Sequence, residues 1–346
     1  MLTVKPNPEI IRKEPAQNIT NTTEAPNTAT PSRPLLHPIF RPALRSEYHS
    51  QFRSNTQRNR LYAWYDDVHQ NSKITYDLRD LTTRFGNTRV AVTGLPQGKP
   101  IVFLHGWSGN GMLWELTGSL HALAEQYRIY LVDVIGQPNY SSGRTPPIRG
   151  NGYGLWLGDV LDQLGLEQVN GVGMSFGAFL WVKAAQVMPE RISSAVFLGP
   201  AGFTGLRLTP QTALAFGRAI FKPSNGNIAH FVRTNILGPK DQFSPEVHAK
   251  IEAMFQCSFK GFKPGAQLPY VFAPGELATL RFPSLVLCGE NDALFDAGSV
   301  IQRAQKHVPG IVAAEVIPGL GHALGNSDLV VSRINHFLAE GRSSAK

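Results

Sequence analysis

The sequence is poor in three features that mark particular classes of protein. Only two of its 346 residues are cysteines, Cys257 and Cys288, so neither a disulfide framework nor a cysteine-based metal site is expected. No run reaches the ~18 apolar residues of a membrane-spanning helix. The first residues, MLTVKPNPEIIRKEP, lack the apolar stretch of a secretory signal. We therefore expect no membrane span and a cytoplasmic location.

Acidic residues are scarce as well, but the net charge of +8 is unevenly spread. Residues 1–60 hold nine Lys and Arg against four Asp and Glu, a balance of +5, which leaves +3 for the remainder. Residues 1–45 are rich in Pro, Asn and Thr and poor in periodic apolar positions. We expect this segment to be a disordered, solvated tail, and we expect no nucleic-acid partner.

From about residue 73 the pattern alternates between apolar strand-like runs and amphipathic helices, which predicts a mostly parallel sheet flanked by helices. A preceding short helix within 46–70 is expected to dock through its Tyr and Trp side chains. The first two strands are expected to meet at a turn at Gly86-Asn87. The alternation stops after the sixth predicted strand, ISSAVFLGP, and residues 203–280 are expected to be mostly helical.

The pentapeptide Gly173-Met174-Ser175-Phe176-Gly177 follows the strand QVNGV and opens the helix FGAFLWVKAAQVM. A serine on so sharp a strand-to-helix turn needs neighbours without bulky side chains, which Gly173 and Gly177 provide. The turn lifts the hydroxyl of Ser175 above the sheet and directs the backbone N–H of Phe176 at an anion. A glycine-rich turn without chemical meaning is the alternative interpretation.

A second loop, HGWSG, follows the apolar strand IVFLHG. We expect it to present the backbone N–H of Trp107 as a second donor, so that Trp107 and Phe176 together bind an oxyanion. His105 is expected to support this loop by hydrogen bonding rather than to act as a base.

A serine hydroxyl needs an adjacent base, and His322 in PGLGHALG lies at the sheet edge expected for Ser175. The acid that orients this histidine is expected in GENDALFD. Asp292 is our choice because of its spacing from Gly289, and Asp296 is the alternative. Glu290 is expected to be a structural hydrogen-bond acceptor.

From about residue 73 to 340 the chain resembles the α/β-hydrolase superfamily. The segments VDVIGQPNYS, GYGLWLGDVLDQLGL, GMSFGAF and MPERISSAVFLGPAG are similar to the bacterial carboxylesterases of the NP type. Most of the superfamily has a pattern closer to D-x-x-G-x-G-x-S where this chain has Asp133 to Ser141, and this departure indicates the subgroup. The resemblance implies a triad of Ser175, Asp292 and His322, with oxyanion donors at Trp107 and Phe176.

The resemblance also implies a domain plan, in which residues 46–202 and 281–346 form the core and 203–280 form a helical cap. It implies a serine hydrolase that cleaves small-molecule esters through an acyl-enzyme, without metal or organic cofactor. Nine phenylalanines in 203–280 favour neutral, hydrophobic esters. Alternatives are the same triad acting on a thioester, lactone, amide or carbon–carbon bond, or a ligand-binding protein without turnover. The residues do not identify the substrate-binding set or the oligomeric state.

Overall fold

The computed structural model describes residues 51–116, 119–239, 241, 243–263, 268–324 and 327–340. The expected tail, residues 1–45, lies outside them. The described residues contain nine strands, named β1 to β9 in chain order: Asp77–Thr83, Gly86–Gly94, Lys99–Leu104, Tyr127–Val132, Ser142–Gly143, Val169–Met174, Ile192–Leu198, Ser284–Gly289 and Ile311–Ile317.

These strands form one sheet in the order β1-β2-β4-β3-β6-β7-β8-β9, with β5 paired to β2. From β4 to β9 along this order every neighbouring pair is parallel, whereas β1, β2 and β5 pair antiparallel. Strand β8 and the last four residues of β3 are completely buried, as continuous apolar runs predict for strands covered on both faces, and no residue of β6 is exposed. The predicted mostly parallel α/β sheet is confirmed.

Eleven helices, α1 to α11, are present in the described residues. They span Asn55–Gln70, Leu113–Leu116, Ser119–Ala124, Gly152–Leu164, Phe176–Ala185, Pro210–Phe221, Asn225–Phe231, Pro245–Gly261, Pro274–Leu277, Ala297–His307 and Asp328–Glu340. Helix α4 ends at Gly165, which adopts a left-handed conformation with φ of 68° that closes the helix. No helix among the described residues is both long and apolar enough to cross a bilayer.

Two details of the opening strands differ from the prediction. The β1–β2 register pairs Thr83 with Gly86, so the turn lies at Arg84-Phe85 and not at Gly86-Asn87. Gly86 instead begins β2 with φ of 135°, and a side chain there would lie 2.3 Å from the backbone oxygen of Ser142. This glycine is therefore needed for the close approach of β5, a strand of two residues that is too short to give a periodic pattern.

Between β7 and β8 the chain forms α6 to α9 and a π-helical turn at Val232–Ile236. Because β5 adds a strand, this segment follows the seventh strand and not the sixth. Five of its nine phenylalanines line a cavity above the sheet edge, namely Phe216, Phe231, Phe243, Phe255 and Phe259. Phe203 and Phe272 join the main core instead, where Phe272 stacks on Phe179 with ring centroids 4.4 Å apart. Phe221 is 85% exposed.

Helix α1 packs against this same segment, as its aromatic residues suggested. The indole N–H of Trp64 donates to the backbone oxygen of Lys250 in α8 over 2.8 Å. Trp64 and Tyr65 are both buried. The ring of Phe52 meets that of Phe262 edge to face, with centroids 5.3 Å apart. The residues before the sheet therefore support the helices that lie above it.

Candidate active site

Ser175 lies on the turn between β6 and α5, with φ of 50° and ψ of −107°. A non-glycine residue in this region is strained by about 1–3 kcal/mol, and such strain persists only where the surroundings hold the backbone. Here the N–H of Ser175 donates to Leu198 in β7 over 2.8 Å, and its carbonyl accepts the N–H groups of Phe179 and Ala201. The strand, the helix and the neighbouring loop thus fix the turn.

The glycines on either side of Ser175 make the turn sterically possible. A side chain at Gly177 would lie 2.0 Å from the backbone oxygen of Leu104 in β3, and one at Gly173 would lie 2.6 Å from the N atom of Ala178. Both contacts are with backbone, which cannot move aside cheaply. The pattern G-x-S-x-G is therefore required by the packing of α5 against β3 and β6.

His322 and Asp292 form a buried pair on the loops that follow β9 and β8. Nδ1 of His322 lies 2.8 Å from Oδ2 of Asp292, and the two side chains are 6% and 1% exposed. The second carboxylate oxygen accepts the N–H groups of Leu294, at 2.7 Å, and Phe295, at 3.0 Å. An ionised carboxylate only accepts hydrogen bonds, so Nδ1 carries the proton and Nε2 keeps its lone pair.

The other two acids of GENDALFD have structural roles. Asp296 is exposed and caps α10, where its side chain accepts the N–H of Ser299 over 2.9 Å. These hydrogen bonds from Ser299 hold the pKa of Asp296 below its usual range. Glu290 accepts the N–H of Gly319 over 2.7 Å, which is the acceptor role expected for it. The geometry thus brings Asp292, and not Asp296, to the histidine.

The backbone N–H groups of Trp107 and Phe176 lie on the loop after β3 and at the first residue of α5. Within the described part of the chain, neither N–H donates to another protein group. Trp107, Phe176 and Ser175 line one cavity together. Two unpaired donors beside the serine, one of them at a helix N-terminus, are suited to bind an oxyanion.

His105 is buried beneath this loop and supports it, as expected. Nε2 accepts the N–H of Val134 over 2.9 Å, and Nδ1 lies 2.9 Å from the carbonyl oxygen of Gly106. Burial lowers the pKa of His105 to about 4, so the ring is neutral and Nδ1 donates to Gly106. A histidine whose two nitrogens are occupied by backbone groups is not available as a base.

Gln137 is a supporting residue that the sequence did not reveal. Its Oε1 accepts the N–H of Ser108 over 2.8 Å, and Ser108 is held with φ of 62° directly after Trp107. Gln137 belongs to the segment from Asp133 to Ser141 that departs from the superfamily pattern. This departure is the sequence feature that could have indicated a role for Gln137. Gly199 also lies at the site, since a side chain there would come within 3.2 Å of Nδ1 of His322.

Two apolar cavities meet at Ser175. The first, of about 930 Å³ including its open part, is lined by Ser175, His322 and the five phenylalanines named above, and its described lining contains no Lys, Arg, Asp or Glu. The second, of about 780 Å³, is lined by Ser175 and Phe176 together with side chains from residues 204–208 and 268–271. Arg207 is the one charged residue of its described lining. Among the described residues, no three His, Cys, Asp or Glu side chains are grouped as metal ligands.

Comparisons with known proteins agree with this architecture. A family model described as the alpha/beta hydrolase fold matches residues 99–325, and the chain belongs to this family. Within it, the chain is 34% identical over 257 residues to an uncharacterized carboxylesterase, nap, of Bacillus subtilis, covering 70% of this chain and 80% of that one. It is 28% identical to carboxylesterase YbfK of the same organism, covering 84% and 97%.

The solved structures that are similar to this chain include carboxylesterases as well. The crystal structure of naproxen esterase, carboxylesterase NP, from Bacillus subtilis superposes with a TM-score of 0.70 at 29% identity, covering 81% of this chain and 97% of the other. The crystal structure of carboxylesterase CesB (YbfK) from Bacillus subtilis also gives 0.70, at 27% identity, covering 82% and 98%. The resemblance to carboxylesterases of the NP type is confirmed.

Proposed function

We propose that this protein is a serine hydrolase that cleaves carboxylic ester bonds through an acyl-enzyme, with Ser175, His322 and Asp292 as its catalytic residues. The observation that carries the proposal is the buried pair between Nδ1 of His322 and Oδ2 of Asp292, at 2.8 Å, beside a cavity that His322 and Ser175 share. The carboxylesterases similar to this chain support the choice of ester bonds.

In the first step His322 accepts the proton of the Ser175 hydroxyl at Nε2, and Oγ attacks the ester carbonyl. The carbonyl oxygen becomes an oxyanion that the N–H groups of Trp107 and Phe176 stabilise; one such donor contributes about 3–4 kcal/mol. Asp292 keeps the imidazolium oriented and stabilises its charge. His322 then gives its proton to the departing alcohol, which leaves the acyl group on Ser175.

In the second step a water molecule takes the place of the alcohol. His322 accepts a proton from this water, whose oxygen attacks the acyl carbon. The oxyanion forms again at the same two N–H groups, and its collapse releases the carboxylic acid and returns the proton to Ser175. All proton transfers pass through Nε2 of His322, since Nδ1 remains bonded to Asp292.

The substrates we propose are neutral, hydrophobic esters. The lining of the first cavity, which lacks Lys, Arg, Asp and Glu among its described residues, supports this choice. Moving a charged group into it would cost desolvation free energy without a partner to offset the loss. Each methylene buried there stabilises the complex by roughly 0.8 kcal/mol.

We also propose that residues 203–280 act as a cap over the nucleophile, on a core made of 46–202 and 281–346. Helices α6, α7 and α8 supply cavity-lining side chains, including Phe216, Phe231 and Phe255. The segment has a small core of its own around Ile228, Phe231 and Phe255, which supports its treatment as a separate layer.

The experiment is a series of p-nitrophenyl esters from acetate to octanoate, with a succinate half-ester as the anionic member. We expect kcat/KM to rise from acetate to the medium chains and to be lowest for the anionic ester. Ser175→Ala is the background control at every chain length. A preference for the anionic ester would contradict the proposed substrate class, while hydrolysis by Ser175→Ala at the wild-type rate would contradict the mechanism.

A further inference from the structure

Exposed apolar side chains are concentrated on one part of the molecule. Ten large hydrophobic residues are exposed among the described residues, and six of them lie within 203–280. These six are Leu206, Leu208, Leu214, Phe221, Leu268 and Val271. Of the other four, Val312 and Val316 lie on β9, Leu329 lies on α11, and Leu95 follows β2. Single exposed apolar residues need no explanation, but a concentration of them marks an interaction surface.

Four of the six line a cavity that reaches the catalytic serine. All four are between 47% and 65% exposed and line the second cavity, which reaches Ser175: Leu206, Leu208, Leu268 and Val271. We call these four residues the apolar rim. A partner that covers the apolar rim therefore lies beside a cavity that leads to Ser175.

Helix α6 carries two further exposed apolar side chains. It begins at Pro210, two positions after Leu208, and its inner face contributes Thr212 and Phe216 to the second cavity. On the outer face, Leu214 is 54% and Phe221 is 85% exposed. These residues are seven positions apart, about two helical turns, so they share one side of the helix. Arg218 lies between them and is exposed, and Lys222 follows.

The chain segment that carries Leu206, Leu208 and helix α6 is basic. Residues 192–240 contain five Lys and Arg and no Asp or Glu. Among the described residues, no carboxylate forms an ion pair with Arg218 or Lys222. Arg207 at the cavity lies near Asp296 and lowers the pKa of that carboxyl, whereas Arg218 and Lys222 have no carboxylate partner among the described residues. Exposed leucine and phenylalanine beside unpaired basic residues are typical of a surface that inserts at a membrane interface.

We propose that the apolar rim and the outer face of α6 dock on the surface of an anionic phospholipid bilayer. The apolar side chains enter the boundary between headgroups and acyl chains, and Arg218 and Lys222 bind lipid phosphates. Docked in this way, the second cavity opens toward esters dissolved in the membrane. This last consequence rests on the proposed function, whereas the docking itself does not. The hot spots of protein interfaces are enriched in Trp, Tyr and Arg and poor in Leu. Four of the six exposed residues here are leucines, which favours a lipid over a protein partner.

The test is sedimentation of the full-length protein with vesicles of phosphatidylcholine containing phosphatidylglycerol, and with vesicles of phosphatidylcholine alone. The variants are Leu214→Ser with Phe221→Ser, and Arg218→Glu with Lys222→Glu; none of these residues lines either of the two cavities at Ser175. The matched controls are Leu95→Ser with Val312→Ser, and Lys73→Glu with Lys99→Glu, which are also exposed but lie elsewhere. The basic segment 1–60 is present in every protein and contributes equally.

We expect both α6 variants to bind the anionic vesicles at least about fivefold more weakly than wild type, and both controls to bind within about twofold of it. All four should keep the wild-type melting temperature and the wild-type kcat/KM on p-nitrophenyl acetate in solution. Equal binding by wild type and the α6 variants would overturn the proposal. So would a wild-type dimer in analytical ultracentrifugation that the α6 variants convert to monomers, because the surface would then cover a second copy. Ser175→Ala should bind vesicles normally, which separates docking from catalysis.

Discussion

Nδ1 of His322 lies 2.8 Å from Oδ2 of Asp292, and neither side chain is more than 6% exposed. The carboxylate cannot turn away, since its other oxygen accepts two backbone N–H groups from Leu294 and Phe295. The imidazole is therefore held in one tautomer and one orientation, with Nε2 on the side of the shared cavity.

The first prediction separates the two acids. Asp292→Asn should lower kcat by about 10⁴-fold, because an amide no longer fixes the proton on Nδ1. Asp296→Asn should change kcat by less than about twofold, since asparagine also caps a helix and Asp296 is exposed. Steady-state kinetics on one ester checks both. A larger loss from Asp296→Asn than from Asp292→Asn would show that the acid has been misassigned.

The second prediction concerns pH and the buried His105. The pKa of this histidine is lowered to about 4 in the folded state, against ~6.5 when unfolded. Between these values the unfolded chain binds the extra proton, so this residue removes stability as the pH falls from about 6.5 to 4. Between pH 7.5 and pH 5 the loss should be about 2 kcal/mol of unfolding free energy.

Asp133 also makes the unfolding free energy of the wild type depend on pH, because burial raises the pKa of this carboxyl to about 7. Its contribution to stability falls as the pH rises from the ordinary pKa of an aspartate to 7. We therefore compare wild type with His105→Gln, whose amide can bond the same two backbone groups. Urea unfolding at both pH values should show the variant gaining about 2 kcal/mol relative to wild type at pH 5. If the difference between the two proteins is the same at both pH values, His105 does not titrate as described.

The third prediction tests the packing of the serine turn. In Gly177→Ala the new methyl group would lie 2.0 Å from the backbone oxygen of Leu104, so β3 and α5 must separate. We expect a loss of at least about 3 kcal/mol in the free energy of unfolding. Gly158→Ala in α4 is the control, because its methyl group meets only Sδ of Met188, at 3.5 Å, and should stabilise by up to about 1 kcal/mol. A Gly177→Ala protein as stable as wild type would contradict this packing.

The fourth prediction concerns the acyl-chain preference. Phe243 lines the first cavity and is half-buried. Phe243→Ala should lower kcat/KM for octanoate by about tenfold and change that for acetate little, because only the longer chain reaches this ring. Phe221→Ala, which removes an exposed ring of the same segment, should leave both values unchanged. Equal losses on the two esters would mean that Phe243 stabilises the helices and not the substrate.

The sequence predicted those parts of the molecule that are set by local patterns. Continuous apolar runs identified buried strands. The turn glycines identified Ser175, because the turn requires glycine at two fixed positions and so produces a recognisable sequence motif. The spacing after Gly289 selected the carboxylate that the structure brings to His322. Each of these features depends on residues close together in the chain.

Features that depend on contacts across the chain were missed or wrong. Strand β5 has two residues, and its pairing with β2 is visible only once both segments are folded. Gln137 supports Ser108 from 29 positions away, a contact that no local spacing encodes. The number of phenylalanines in 203–280 did not reveal that Phe203 and Phe272 pack into the main core. Composition alone does not determine against which hydrophobic cluster a side chain packs.

The nucleophile can be identified by covalent labelling with a fluorophosphonate, followed by intact mass measurement and peptide mapping. We predict one phosphonyl group per chain, on Ser175, and none in Ser175→Ala, whose melting temperature should match that of wild type. Asp292→Asn should label much more slowly at the same residue, because the phosphonylation also needs His322 as its base. Stoichiometric labelling of folded Ser175→Ala, or an adduct on another residue of wild type, would contradict the assignment of Ser175 as the nucleophile.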